Sequence, residues 1–288
     1  MTDRAVCVVR AGALTTVQDL GRPGHAHLGV PRSGALDPAA VRLVNRLLGD
    51  PPWSAVLETT LTGCAVRPRR AVTVVVGGAP CPVRVDGRPA AWGAPVRVGA
   101  GQLLDVGAPV RGLRSYVGFG GGIAVEPVLG SRSTDLLSGL GPAPLADGAV
   151  LPLGPAAPAV PPGADAPPWP GPPETLVLRV RLGPRDRWFT GAALGALATR
   201  VWRVSPASNR IGLRTEGPVL ERAVPGELPS EGMPLGAVQV PPDGRPVVFL
   251  ADHPTTGGYP VVAVVREEDL AAAAQAVPGT PVRFVPCR

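Results

Sequence analysis

SEGMPLGAVQVPPDGRPVVFLADHPTTGGYP, residues 230–260, is the stretch that decides our interpretation of the fold. Two β-patterned runs at 236–240 and 246–250 flank the sequence Pro-Pro-Asp-Gly at 241–244. Proline presets φ and glycine permits a positive φ, so the pattern predicts a β-hairpin. Polar side chains and glycines at the strand ends are typical of a small-molecule site, although this stretch taken alone favours a plain hairpin followed by a tight turn. The polar residues are Ser230, Glu231, Gln239, Asp252, Thr255, Thr256 and Tyr259.

Short apolar runs recur along all 288 residues and predict a mainly β protein. Hydrophobic residues make up 45% of the chain, enough for a core, and 38 glycines with 38 prolines supply many turns. Many short strands joined by such turns favour a barrel or a sandwich. Glu58 lies in one predicted strand, either facing solvent or as a buried acid. Further strands are predicted at 5–9, 57–61, 71–76, 83–85, 95–98, 103–106, 114–119, 175–182, 201–204, 261–265 and 282–285.

The clearest helix signal begins at Asp37, which is a natural N-cap. Pro38 suits the first helical position, and Gly49 suits the residue that ends a helix. Asn45 is expected on the side of the helix opposite its apolar face. The apolar face consists of Val41, Val44, Leu47 and Leu48.

A proline-rich segment divides the chain into two predicted domains. Residues 154–173 contain nine prolines, which is typical of a stiff, extended connector. We therefore predict an N-terminal β subdomain at 1–153 and a C-terminal β subdomain at 174–288. Helices are predicted in the second subdomain at 186–200 and 267–276, the latter with acidic residues in its first turn.

The basic residues restrict the chemistry. The net charge is +6, and every one of the 28 basic residues is arginine. Without lysine the chain has no P-loop lysine, no Schiff-base amine and no lysine for covalent biotin. The arginines are scattered and aromatic residues make up only 4% of the chain, so we predict no nucleic-acid surface.

Cysteine and histidine spacing does not indicate a metal site. The four cysteines form no CxxC pair. His25 and His27 could present two imidazoles on one strand face, but no third ligand is evident, and we predict no metal. The first residues lack an apolar signal segment and no run reaches 18 apolar residues, so we expect a cytoplasmic protein without membrane association.

The polar loops together resemble the carboxyltransferase A/B subdomain family, which includes the C subunit of 5-oxoprolinase, KipA and the second allophanate-hydrolase-type subunit. The resemblance extends from about residue 14 to 285. It implies a mainly β, two-part cyclophilin-like β-barrel architecture with a few short helices and no isomerase activity. The loops that carry it are 15–24, 30–37, 129–135, 205–212, 230–232, 239–246 and 252–260.

The resemblance implies a component of an ATP-dependent 5-oxoprolinase, which hydrolyses the lactam of 5-oxoproline to glutamate. The implied partners are a KipI-like subunit and a LamB/YcsF-type subunit, and activity is expected only in their complex. ATP with Mg²⁺ would act in the complex, on this chain or a partner, and covalent biotin would not lie on this chain. A free-standing chain of this size favours this activity. Two alternatives remain: a biotin-dependent carboxyltransferase component acting on urea or a related amide, and a non-enzymatic regulator that binds a KipI-like kinase inhibitor.

Opening a lactam requires anion donors, an acid or base, and a pocket that excludes water. Asp19, Glu231 and Asp252 are the candidate acid/base or magnesium-binding residues. Arg22 and Arg210 are the candidate anion-binding residues, because arginine offers bidentate contacts. We expect most of the candidate site residues to line one cleft. The residues expected to orient the substrate are Gln18, Asn209, Gln239, Thr255, Thr256 and Tyr259.

Overall fold

The computed structural model describes residues 3–155 and 169–287, which form two compact units. Unit 1 comprises Met1–Arg22, Asp37–Asp135 and Gly139–Pro172. Unit 2 comprises Pro23–Leu36, Leu136–Ser138 and Pro173–Arg288. Two short segments from the first half of the sequence therefore group with the second half. Most of the predicted linker at 154–173 lies outside the described residues.

Unit 1 contains two β-sheets, whose strands are mostly short. The first sheet has the order β11-β1-β4-β9-β6-β7, and the second has the order β2-β3-β10-β5-β8. The strands are β1 (Ala5–Arg10), β2 (Leu14–Gln18), β3 (Val56–Thr60), β4 (Cys64–Pro68), β5 (Val72–Gly78), β6 (Val83–Val85), β7 (Arg88–Ala90), β8 (Val96–Val98), β9 (Leu104–Val106), β10 (Arg114–Phe119) and β11 (Val150–Pro152).

The predicted loop at 15–24 is wrong at its start, because residues 15–18 belong to β2. Strand β2 pairs along its whole length with β3, and all but its first residue are buried. Threonine and valine suit a strand, but the run lacks an apolar-polar alternation, so the local pattern does not distinguish this strand from a polar loop. Strands β4, β7 and β11 were also not predicted. The strands at 83–85 and 114–119 are confirmed.

Helix α1 (Pro38–Leu48) is confirmed at both ends. Asp37 Oδ1 accepts a hydrogen bond from Ala40 N at 2.9 Å, and Gly49 ends the helix with φ 72°. The prediction that Asn45 lies on the side opposite the apolar face is wrong, because this side chain is buried together with Val41, Val44 and Leu48. Its Nδ2 donates to Pro52 O at 3.2 Å and Ser54 O at 2.8 Å. Asn45 therefore fastens the chain that leaves the helix.

Unit 2 is built around a closed barrel of seven strands. Its order is β12-β19-β16-β17-β14-β13-β20, and β20 closes the barrel by parallel pairing with β12. A separate two-stranded sheet pairs β15 with β18. The strands are β12 (Leu176–Leu182), β13 (Trp202–Val204), β14 (Gly212–Glu216), β15 (Glu231–Gly232), β16 (Ala237–Gln239), β17 (Val247–Phe249), β18 (Thr256–Gly257), β19 (Val261–Val265) and β20 (Pro281–Pro286).

The barrel core follows the period of two that strands impose. Leu176, Leu178 and Val180 of β12 belong to one buried cluster, together with Val238 and Val248 of the predicted hairpin. That hairpin is confirmed, since β16 and β17 pair and Gly244 N donates to Pro241 O at 2.9 Å in the turn. Helices α2 (Gly191–Thr199) and α3 (Glu267–Ala273) pack leucine and alanine side chains against the same cluster.

The helix predicted at 186–200 is interrupted. Asp186–Trp188 forms a 3₁₀ turn, after which Phe189 and Thr190 are extended. Thr190 Oγ1 then accepts from Ala193 N at 3.1 Å and caps α2. Phe189 forms a β-bridge with Arg222, so a long-range contact overrides local helix propensity here.

The predicted mainly β, two-part barrel architecture is confirmed, with three α-helices among the described residues. Within those residues, none of the helices combines the length and the apolar character that a membrane span requires.

Glycine at position 118 lets α1 pack closely on β10. A Cβ there would contact Val44 Cγ1 and would lie 2.8 Å from Leu48 Cδ1. We predict that Gly118→Ala lowers the free energy of unfolding by about 1–3 kcal/mol, because the side chains of Val44 and Leu48, or the helix that carries them, must shift to admit the methyl group. Urea denaturation measures this effect.

Gly120→Ala provides the matched control. The nearest atom to a Cβ at Gly120 is Thr73 O at 3.6 Å, an ordinary contact, so we expect a change below about 1 kcal/mol. Equal losses in both variants would contradict close packing at Gly118.

Candidate functional site

Asp19 holds the loop that follows β2 in unit 1. Its Oδ1 accepts from Ser131 Oγ and Ser133 Oγ, each at 2.6 Å, and from Gly21 N at 2.8 Å. Its Oδ2 accepts from Arg132 N at 2.6 Å. The carboxylate is buried, and these donors compensate its lost hydration. The geometry therefore fixes two loops against each other.

Arg22 and Gln18 lie in the same part of unit 1, and both are buried. Arg22 Nη2 donates to Ser133 O, and Arg22 Nε donates to Val128 O at 3.3 Å. Gln18 Nε2 donates to Thr134 O at 2.9 Å and to Thr16 Oγ1 at 3.0 Å. The structure thus brings Asp19, Arg22 and the end of β2 to one polar segment at 131–134.

Arg210 and Asp252 form a buried ion pair in unit 2. Arg210 Nε lies 2.8 Å from Asp252 Oδ2, and Nη2 lies 3.0 Å from Oδ1. Their side chains are 1% and 0% exposed. This two-bond geometry is the strongest form of an arginine–carboxylate contact.

Three further groups in unit 2 converge on this pair. Ser33 Oγ donates to Asp252 Oδ1 at 2.8 Å, and Leu136 N donates to Oδ2 at 3.2 Å. Arg210 Nη2 also donates to Gly34 O at 2.6 Å. The pair therefore ties the segments at 33–34, 136, 210 and 252 together, just before the polar loop 254–260.

The polar loop 254–260 is held at several points. Glu231 and Gly257 are paired residues of β15 and β18, and Met233 N donates to Thr255 O at 2.9 Å. Gln239 Nε2 donates to Tyr259 O at 3.3 Å. These contacts place Glu231, Gln239, Thr255, Thr256 and Tyr259 around one loop of unit 2.

Glu231 has a more accessible carboxylate than Asp19 or Asp252, with 25% of its side chain exposed. Arg185 Nη2 lies 2.7 Å from Glu231 Oε2, and its Nε lies 3.2 Å from the same oxygen. The hydrogen bond to the Glu231 carboxylate raises the pKa of Arg185 above its ordinary value. The sequence offered no motif that would single out Arg185.

Asn209 shapes the turn before β14. Its Oδ1 accepts from Ile211 N at 2.8 Å and from Gly212 N at 3.2 Å. An asparagine side chain that bonds the backbone two residues ahead is a common turn device. This contact orients the backbone on either side of Arg210.

A second polar group in unit 1 was not predicted. Thr16, Glu58 and Tyr116 are directly paired across β2, β3 and β10, so their side chains share one sheet face. Gln18 lies two residues after Thr16 on β2, and Arg114 lies two residues before Tyr116 on β10. Their side chains therefore point to the same face. We call these five residues the buried polar row, since all are buried. Glu58 is thus a buried acid.

Hydrogen bonds connect the buried polar row to the start of α1. Tyr116 Oη donates to Glu58 Oε2 at 3.0 Å and accepts from Asp37 N at 2.9 Å. Arg114 Nε lies 3.6 Å from Glu58 Oε1. Burial raises the pKa of Tyr116 well above its ordinary value, and Glu58 raises it further. Burial is also the main cause of the raised pKa of Asp37.

The histidine pair does not lie on a strand. Ala26–Leu28 forms a 3₁₀ turn, and His27 Nδ1 lies 3.1 Å from Gly24 O. Across residues 3–155 and 169–287, no group of three or more His, Cys, Asp or Glu side chains is arranged to hold a metal ion.

Similar proteins were found in two comparisons of sequence and one of structure. The family model for the carboxyltransferase domain, subdomain A and B, matches residues 28–286. The C subunit of the 5-oxoprolinase of Escherichia coli (strain K12) is 38% identical, over 97% of this chain and 90% of that protein. The urea amidolyase of Lachancea kluyveri is 32% identical, over 97% of this chain and 17% of that protein. The crystal structure of the Kluyveromyces lactis urea carboxylase matches with a TM-score of 0.92 and 30% identity, over 100% of this chain and 28% of that chain.

Removing one partner of the Arg210–Asp252 pair should strongly destabilise the protein. We predict that Asp252→Asn lowers the free energy of unfolding by about 3–5 kcal/mol, because Arg210 then remains charged and buried without its counter-ion. Chemical denaturation, followed by circular dichroism, measures the loss.

Asp105→Asn is the control for an exposed pair. Asp105 Oδ1 lies 2.7 Å from Arg10 Nη2, and their side chains are 37% and 41% exposed. We expect a loss below about 1 kcal/mol there. Comparable losses for the two variants would contradict the difference in burial.

Asp37 predicts a pH dependence of stability. Its pKa is raised above the ordinary value of 3.8, so the folded state binds a proton more readily than the unfolded state. This contribution is present below pH 3.8 and is lost as pH rises through the folded pKa. We predict that the stability of the wild type relative to Asp37→Asn, which keeps the cap, falls over this range. Urea denaturation at several pH values measures it, and an increase with pH would contradict the assignment.

Proposed function

Because the chain belongs to the family of the carboxyltransferase domain, subdomain A and B, we propose that it is a component of an ATP-dependent 5-oxoprolinase. This enzyme would open the lactam of 5-oxoproline to give glutamate. The observation that carries the proposal is the match to the C subunit of 5-oxoprolinase, which spans most of both proteins. Family membership agrees with the resemblance noted in the sequence.

We propose that the chain works only in a complex with a KipI-like subunit and a LamB/YcsF-type subunit. The name of the similar protein, which is one lettered subunit of its enzyme, supports a multi-subunit assembly. We propose that ATP with Mg²⁺ acts in the complex, on this chain or on a partner chain. The sequence has no lysine, and the described residues offer no three-ligand metal group. We also propose a cytoplasmic location, where ATP is available.

For the reaction itself, we propose Glu231 as the acid or base. Its carboxylate is partly exposed, and Arg185 holds its position. We assign Asp19 and Asp252 to the positioning of loops, because both are buried and accept several hydrogen bonds. Arg22 and Arg210 would support the same loops. The residues proposed to orient the substrate are Gln18, Asn209, Gln239, Thr255, Thr256 and Tyr259.

A second candidate function is a carboxyltransferase step that uses carboxybiotin from a partner and urea or a related amide as acceptor. The similarity to urea amidolyase and to the urea carboxylase structure favours it. Covalent biotin would have to lie on another chain, because the 288 residues contain no lysine.

Reconstitution distinguishes these functions. We predict that the chain alone lacks 5-oxoprolinase activity, and that a mixture with its KipI-like and LamB/YcsF-type partners releases glutamate and ADP from 5-oxoproline and ATP. Coupled assays for both products measure the reaction. A mixture that is inactive in the 5-oxoprolinase assay but active in a biotin-dependent urea assay would support the second candidate instead. Binding to the KipI-like partner with neither activity would favour the non-enzymatic regulator.

The same mixture tests the role of Glu231. Glu231→Gln should lower kcat by about 100-fold or more if this carboxylate transfers a proton. Glu216→Gln is the matched control, because Glu216 lies on the exposed side of β14, where Oε1 accepts from Ser205 Oγ at 2.8 Å. Equal kcat values for wild type and Glu231→Gln would exclude the proposed role.

A further inference from the structure

We infer that the buried polar row of unit 1 binds the N–H group of a small amide, with Gln18 Oε1 as the acceptor. The inference rests on the proposed function only in taking the substrate to be an amide. It concerns a group of residues, Glu58, Arg114 and Tyr116 among them, that the proposed roles leave unused.

The first observation is an acceptor without a partner. Gln18 is 0% exposed, and both hydrogen bonds of its side chain come from Nε2. Thr134 O can only accept, which fixes the orientation of the amide. Oε1 then has no hydrogen-bond partner among the described residues. An unsatisfied buried acceptor costs about 1–3 kcal/mol, and a donor that binds there would recover this cost.

The second observation is the set of polar groups beside Gln18. Gln18 Nε2 lies 3.0 Å from Thr16 Oγ1, and Thr16 is the direct strand neighbour of Glu58. Tyr116 is the next neighbour of Glu58 on the same face. A hydroxyl, a carboxylate and a phenol therefore continue from Gln18 across three adjacent strands. These hydrogen-bonding groups share one sheet face with Gln18.

The row favours a ligand that donates hydrogen bonds. Glu58 contributes a carboxyl group, and Arg114 contributes one cation. The raised pKa of Tyr116 keeps its proton in place, and that proton is donated to Glu58. The acceptor left over is Gln18 Oε1, which an amide N–H would satisfy.

Asn45 provides a comparison inside the same unit. It is also buried, its Nδ2 also donates to two backbone carbonyls, and its Oδ1 also has no partner among the described residues. However, Asn45 lies on α1 beside the apolar residues Val41, Val44 and Leu48. Its two hydrogen bonds fasten the turn after the helix. Asn45 therefore matches Gln18 in local bonding but has no row of polar neighbours.

The lactam of 5-oxoproline and urea share the amide N–H that the row would recognise. The test uses the reconstituted complex with Gln18→Leu and the control Asn45→Leu. Gln18→Leu loses one hydrogen bond to a backbone carbonyl and one to a hydroxyl, and Asn45→Leu loses two hydrogen bonds to backbone carbonyls. Both variants should therefore unfold at a lower temperature. We expect Gln18→Leu alone to raise the KM for 5-oxoproline by about tenfold or more, the equivalent of one hydrogen bond.

A comparison of ligands tests the inference in the wild-type complex, so it does not depend on whether a variant folds. 2-Pyrrolidinone carries the lactam N–H, whereas N-methyl-2-pyrrolidinone lacks it. We expect 2-pyrrolidinone to inhibit at least about tenfold more strongly. Equal inhibition by the two compounds, or an equal KM in wild type and Gln18→Leu, would overturn the inference and leave a buried water as the partner of Gln18.

Binding measurements separate this inference from the proposed function. If the complex has no 5-oxoprolinase activity, the proposed function fails. The inference is then judged by thermal shifts with urea and with 2-pyrrolidinone on the wild type and both variants. A shift in the wild type and Asn45→Leu, but not in Gln18→Leu, supports the row as an amide site. The absence of a shift in every protein, or the same shift in all three, overturns it.

Discussion

Buried carboxylates that accept hydrogen bonds from separate loops are the constraint on which both units depend. Moving a carboxylate out of water is unfavourable unless donors surround it, so each one draws its donors into fixed positions. In unit 1 Asp19 gathers the loop at 131–133, and in unit 2 Asp252 gathers Arg210, Ser33 and the backbone at 136. Loops rich in glycine and proline thereby gain a defined conformation.

This constraint separates residues that hold the candidate site from residues that act in it. Asp252 and Asp19 have their oxygens directed at donors of the protein. Glu231 differs, because its carboxylate is partly exposed and has one arginine partner, Arg185. A group that exchanges protons with a substrate must be reachable, so the proposed function relies on Glu231 more than on the two buried acids.

Several elements could be predicted because their signals are local. The boundaries of α1 follow from Asp37 and Gly49, and the hairpin turn follows from the sequence at 241–244. Other predictions were wrong where distant contacts decide. Asn45 is buried because the chain after α1 returns to it, and β2 is a strand because β3 pairs with it. For the site, the sequence identified the polar loops but not Arg185 or the buried polar row.

The sequence by itself determined the mainly β character, the cap and end of α1, the hairpin and the exclusion of lysine chemistry. These depend on residue type and on neighbours a few positions away. Only the tertiary structure decided which polar residues are buried and which partners they have. Glu58 and Tyr116 are 58 residues apart in the chain, and Ser33 and Asp252 are 219 apart. Such pairs form only when folding removes water from both partners, and no local pattern records that event.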